Sequence, residues 1–257
     1  MKKRMTFFLV IILVAFLQNA FAGRIVVNND EWALSNTGFL NSPDAGTFST
    51  NVASWFTGGG TGDFLVYSKN FGLTETLLSS VMTNAGNSWE VNYQAEFTVD
   101  NLMKYDGIFL AGNPADTSVL TQYVLKGGNV YLAGGTGIGW SVLEAARWNP
   151  FLMNFGLRFE SYYNPISSTI ISIDSDHPIF KGVTDLYVYN GNNVSLTGTN
   201  EFAKILVDFY GNGLYAVYDP RAFDTKRIPP VPIPASVWLF TSGLLGLVGI
   251  GRKKTIH

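Results

Sequence analysis

The 257-residue chain contains no cysteine, which excludes disulfides, thiolate metal sites and a cysteine nucleophile. Histidine is almost as scarce: of two, His257 ends the chain, so His177 is the single imidazole in its body. A serine triad would need that imidazole and a Gly-x-Ser-x-Gly elbow, and no such elbow occurs; Ser141 lies in Gly139-Trp-Ser-Val-Leu. The glycine run Gly58-Gly-Gly-Thr-Gly62 is not followed by Lys-Ser or Lys-Thr and precedes a strand, so it reads as a turn and not a phosphate loop. Charged residues make up only 14% of the chain, and none falls between Ile233 and Gly251.

That uncharged stretch of 19 residues is long enough, at about 1.5 Å per helical residue, to cross a hydrocarbon core of about 30 Å. Trp238 and Phe240 stand near one end, and Arg252, Lys253 and Lys254 close the other, where cations stay cytoplasmic. At the opposite terminus Lys2, Lys3 and Arg4 precede an apolar stretch and the small-residue pattern Ala20-Phe21-Ala22, a secretory signal. The expected organisation is a signal peptide (1–22), an exported domain (23–218), a linker (219–230) and a C-terminal signal (231–254) with a transmembrane helix over 235–251. Six of the 17 Lys and Arg lie in the two end segments, leaving 11 against all 19 acids between Gly23 and Gly251, a balance of −8. Such a surface disfavours nucleic acid as a partner.

Val231, Pro232, Ile233, Pro234 and Ala235, then Trp-Leu-Phe-x-Ser-Gly-Leu-Leu-Gly-Leu-x-Gly and the basic tail, resemble the PEP-CTERM sorting signal, with Ile233 at the usual Glu position. The resemblance implies export machinery and an exosortase-type protease as partners, in Gram-negative bacteria that make exopolysaccharide. It implies inner-membrane anchoring before sorting, then a place at the cell surface or in the extracellular matrix. It says nothing of what the exported domain does.

Within that domain, short apolar runs at 24–29, 63–68, 89–93, 105–112 and 129–135 read as strands. Helical patterns fall between them at 44–56, at 74–84 with Thr74 as N-cap, and at 117–125. This alternation predicts an α/β fold, a doubly wound, mostly parallel sheet of flavodoxin-like type. Residues 140–155 read as a helix broken or kinked near Trp148-Asn149 by Pro150. Five further runs (169–173, 185–189, 194–196, 203–210 and 214–218) predict an antiparallel C-terminal extension, arranged as a meander.

Ligands of open parallel sheets bind beyond the carboxyl ends of the strands. That rule selects Asn29, Asp30, Glu31 and Trp32 after the first strand, Asn113 after the fourth, and Gly135 and Thr136 after the next. Acids, amides and an indole suit a sugar or another hydroxyl-rich ligand; the same residues also serve as helix caps and turns. His177, before Pro178, is a further candidate binding residue or a structural turn. Asp174 and Asp176 beside it lack the remaining ligands of a calcium loop, so no metal or cofactor is expected.

Tyr-Asp-Gly-Ile-Phe-Leu-Ala-Gly at 105–112, Tyr-Val-Leu-Lys-Gly-Gly-Asn-Val-Tyr-Leu-Ala-Gly-Gly-Thr-Gly at 123–137, and His177-Pro-Ile-Phe-Lys-Gly-Val resemble the class I glutamine amidotransferase-like fold, nearest its ThuA-like branch. In the active family a cysteine follows the strand that matches 130–133; here the turn is Gly134-Gly135-Thr136-Gly137. The resemblance therefore implies the fold without amidotransferase chemistry. The expectation is a non-catalytic binding domain, with exopolysaccharide or another matrix component as partner. Two alternatives stand beside it, a carbohydrate-active hydrolase using Asp30 or Glu31, and a purely structural envelope or matrix protein.

Overall fold

The computed structural model describes residues 22–221. The signal peptide up to residue 21, most of the linker and the C-terminal sorting signal fall outside the described residues, and with them Val231 to Ala235 and Arg252 to Lys254. Among the described residues no helix is long and apolar enough to cross a membrane.

Five short strands, β1 (Ile25–Asn28), β2 (Asp63–Val66), β3 (Ser88–Val91), β4 (Gly107–Ala111) and β5 (Asn129–Ala133), pair in parallel in the order β1-β5-β4-β2-β3. Every residue of β1, β4 and β5 is buried, as expected of apolar strands covered on both faces. Two small antiparallel pairs stand apart, β6 (Leu157–Tyr163) with β9 (Asn192–Leu196), and β7 (Thr169–Ser172) with β8 (Asp185–Val188). The hairpin β10 (Ala203–Phe209) and β11 (Asn212–Tyr218) adds to the main sheet, β11 running antiparallel to β1 and completing seven strands. The fold is thus α/β with a mostly parallel sheet, consistent with a flavodoxin-like arrangement. The antiparallel part is not a meander, because β6 pairs with β9 across two intervening strands.

The helices are α1 (Asn36–Asn41), α2 (Asp44–Thr57), α3 (Phe71–Thr74), α4 (Thr76–Asn84), α5 (Val99–Leu102), α6 (Thr117–Leu125) and α7 (Trp140–Leu152). Alternate strand residues divide between two cores. Val26, Phe64, Phe109 and Tyr131 pack with Phe48 and Val52 of α2 and Leu78 and Met82 of α4, whereas Val27, Leu65, Val130 and Leu132 pack with Leu120 of α6 and Trp148 of α7. The first core is bound by a run of rings: Phe64 to Phe109 at 5.9 Å, Phe109 to Tyr131 at 5.0 Å, and Phe48 to Phe180 and Tyr215 at 5.3 and 5.4 Å. Such pairs contribute about 0.5–1.5 kcal/mol each beyond area burial, cohesion that a chain without disulfides draws from its 14% aromatic content.

Two helix readings are corrected. Thr74 does not cap a helix; it ends α3, whose start is capped by Asn70 accepting from the Gly72 amide, and α4 begins two residues later after Glu75. Nor does Pro150 break α7, which runs on to Leu152. The carbonyl that Pro150 cannot serve belongs to the solvent-exposed Ala146. Meanwhile Trp148, Phe151 and Leu152 are buried, and the Asn149 side chain exchanges two hydrogen bonds with the Phe159 backbone, 2.9 and 2.8 Å. Tertiary packing outweighs one missing bond.

Candidate functional site

The chain leaves β1 toward α1 and α2 on one face and leaves the neighbouring β5 toward α7 on the other, so a crevice opens at their carboxyl ends. The β1 end delivers four of the selected residues. Asn28 turns to the first core and donates to the Tyr131 hydroxyl at 3.1 Å. Asn29 is wholly buried, and neither its Oδ1 nor its Nδ2 has a hydrogen-bond partner. Asp30 is also wholly buried and accepts from three backbone amides: Trp32 at 2.7 Å and Ala33 at 3.2 Å through Oδ1, and Tyr189 at 3.0 Å through Oδ2. It ties the β1–α1 turn to the β8–β9 connection. Burial raises its pKa to about 6 against those three amides, which lower it.

Glu31 reaches the surface, 8% exposed, and accepts from Asn70 Nδ2 at the end of β2. Its pKa is pushed up to about 7, first by burial and then by the nearby charges of Glu144 and Asp30, with Asn70 opposing. Glu144, fully buried on α7, accepts from the Thr136 amide at 3.0 Å and the Thr136 hydroxyl at 2.6 Å, and burial raises its pKa too. Gly135 lies at φ +65°, where an added Cβ would stand 2.8 Å from Gly191 Cα and 3.0 Å from Asn29 O. This turn therefore needs glycine. Trp32 packs edge-on against Phe71 at 4.7 Å and tilted against Tyr189 at 5.7 Å.

Asn113 sits farther along the same edge, its Oδ1 accepting from the Lys69 amide at 2.6 Å and joining the ends of β4 and β2. Beside it a cleft of about 460 Å³ is lined by Ser68, Lys69, Thr74, Asn92, Tyr93 and Gln94. Lys69 Nζ stands 3.7 Å above the Tyr93 ring.

Seven of the eight candidates thus share the carboxyl edge. His177 does not join them. It caps the short turn Pro178–Phe180, packs edge-on against Trp55 at 5.0 Å, and lies in the field of Arg24 and Asp219, at the amino end of β1. Burial holds its pKa down at about 4, so it is neutral near pH 7 and acts as a cap. Although Asp30, Glu31 and Glu144 gather, no group of three acidic or imidazole side chains among the described residues is arranged to hold a metal.

Sequence reasoning missed Glu144 and Asn70. Glu144 carries a readable signal, an acid on the same helical stripe as Trp148 and Phe151. Asn70 carries none beyond its capping role. Comparison with protein-family models, with curated proteins and with solved structures gives no match.

Proposed function

We propose that this is an exported protein, sorted by an exosortase-type protease to the cell surface or matrix, whose ThuA-like α/β domain binds a hydroxyl-rich ligand at its carboxyl edge. One observation carries the binding reading: polar residues after β1 and β4 meet the segment after β2, Glu31 at Asn70 and Asn113 at Lys69, beside a cleft with hydroxyls, amides and a Tyr93 platform. Asp30 is fully engaged by backbone amides, which speaks for scaffolding at that position and against a carboxylate pair facing a substrate. The turn that would carry an amidotransferase nucleophile instead holds Gly135 wedged against Asn29 and Thr136 bonded to Glu144.

Two experiments test the parts separately. Intact-mass spectrometry of protein from its native cells reads both ends: a chain from near Gly23 to the region 231–235 supports sorting by cleavage, and a retained Arg252-Lys253-Lys254 tail refutes it. A thermal-shift screen with saccharides and matrix extracts tests the domain; the expected shift disappears in Tyr93→Ala, and the absence of any shift favours a purely structural role.

A second reading keeps a specific observation. Glu31, with a pKa near 7 at the crevice, is poised as a general acid or base. In a hydrolase of this kind Glu31→Gln abolishes turnover of a matrix glycan, whereas in the binding reading no turnover exists to lose.

A further inference from the structure

Among the described residues only two outside glycine have positive φ, Trp140 at 63° and Tyr210 at 51°. Both are aromatic and strongly exposed, 76% and 89%, and both stand at the carboxyl edge, Trp140 as the first residue of α7 and Tyr210 in a turn. Tyr210 and Gly211, φ 79°, form the two-residue turn between β10 and β11 with both residues left-handed. That turn favours Asn or Gly at its first position. A bulky ring kept there against backbone strain, with almost no burial in return, points to a role outside the fold's own packing.

Tyr210 lines a cleft of about 310 Å³ with Asn212, Ser167 and Pro165, and its ring is steadied edge-on by Phe209 at 4.5 Å. Pro165 and Ser167 also line a second cleft of about 220 Å³ with Tyr189, Asn190 and Asn164. Tyr189 is 36% exposed, and Asn164, 2% exposed, has an Nδ2 without a partner. Neither cleft is lined by a charged side chain. The first stands at the lower end of the range for a drug-sized ligand, about 300–1,000 Å³, and the second below it. What they offer is a tyrosine face for C–H surfaces, amides and hydroxyls for O–H groups, and no partner for a phosphate, carboxylate or ammonium group.

We infer that these two clefts, which share the Pro165–Ser167 loop, are neighbouring subsites for a neutral saccharide chain, with Tyr210 and Tyr189 as stacking platforms. This goes beyond the binding reading above, taking the same ligand class to clefts that share no residue with the one at Lys69, so the two fail separately. The test is fluorescence titration of the full chain, in a detergent without a sugar headgroup, with neutral gluco-, xylo- and manno-hexasaccharides and their monosaccharides. At least one hexasaccharide is expected to bind, and its monosaccharide about tenfold more weakly, because two subsites act together. Tyr210→Asn, which suits the left-handed backbone and removes an exposed ring, and Tyr189→Ser each weaken binding about tenfold or more. Circular dichroism of the variants separates lost binding from lost fold, and Tyr210→Asn, altering an exposed ring alone, keeps the test decisive. Binding by no hexasaccharide, or wild-type affinity in both tyrosine variants, overturns the inference; a loss confined to Tyr93→Ala overturns it and leaves the cleft at Lys69 as the site.

Discussion

Asp30→Asn removes one buried titration, together with the part of the Glu31 shift that the Asp30 charge causes. The wild-type carboxyl has a pKa of about 6 against 3.8 in its ordinary state, a gap equivalent to about 3 kcal/mol. Because the folded state raises the pKa of an acid, the contribution is complete below 3.8 and is lost as the pH rises through about 6. Between about pH 4.5 and about pH 7, roughly 2 of those 3 kcal/mol should disappear from the wild type and not from the variant. Asparagine keeps an acceptor for Trp32 and Ala33 but turns an NH2 toward the Tyr189 amide, which costs about 1–3 kcal/mol at every pH. His177 works in the opposite direction, since its lowered pKa makes stability fall on acidification from 6.5 toward about 4. It does so in both proteins, so the difference between them cancels it. The assay is urea unfolding of each purified protein across this pH range by tryptophan fluorescence, with equal m-values as the check that the unfolded states match. A wild-type minus variant difference that stays flat across the range refutes the assignment of a desolvated carboxylate at Asp30.

Three further outcomes follow from local geometry. Gly135→Ala should lose about 3 kcal/mol or more in the same unfolding assay, because it combines a left-handed backbone with a Cβ 2.8 Å from Gly191 Cα. Trp140→Gly should be neutral or stabilising by about 0.5–1 kcal/mol, since relief at φ 63° exceeds the added chain entropy and the lost ring is mostly in solvent. Glu144→Gln should lower the pKa of Glu31 from about 7, because it removes a nearby negative charge; a carboxyl-carbon NMR titration that finds Glu31 unmoved would break the proposed coupling.

The parallel sheet was legible because buried strands are written as continuous apolar runs, and Gly107–Ala111 and Asn129–Ala133 fall within the runs read from the chain. Asp116 before residues 117–125 supplies the cap that fixes α6, accepting from the Ser118 amide at 2.8 Å and the Val119 amide at 3.2 Å. What was not legible depends on pairing at a distance. Residues 157–163 alternate too weakly to announce β6, whose place is set by Asn149 on α7 and by β9. The helix Asn36–Asn41 was missed because it is one capped turn and a half containing Gly38, whose tight approach to the Trp32 and Ala33 carbonyls no period records. The carboxyl edge was selected by a topological rule, which works for residues that follow strands. It has no hold on Glu144 or Asn70, which reach the edge from a helix and a cap.

The same topology separates the two ends of the strands by role. At the amino edge, Arg24 pairs with Asp219 at 3.2 Å and stacks over Trp55 at 4.7 Å, and Gly23 lies so close to Gly128 that a Cβ there would meet its carbonyl. The first and last residues of the sheet are thereby locked together, with His177 as a neutral cap beside them. The carboxyl edge, about 15 Å away along strands of four or five residues, carries the strained, exposed and unsatisfied groups: Tyr210, Trp140, the unpartnered Asn29 and the desolvated Glu31. Strain and unsatisfied polar groups gathered on one edge, opposite an edge held by an ion pair and a cation–π contact, are where the proposed binding is to be sought.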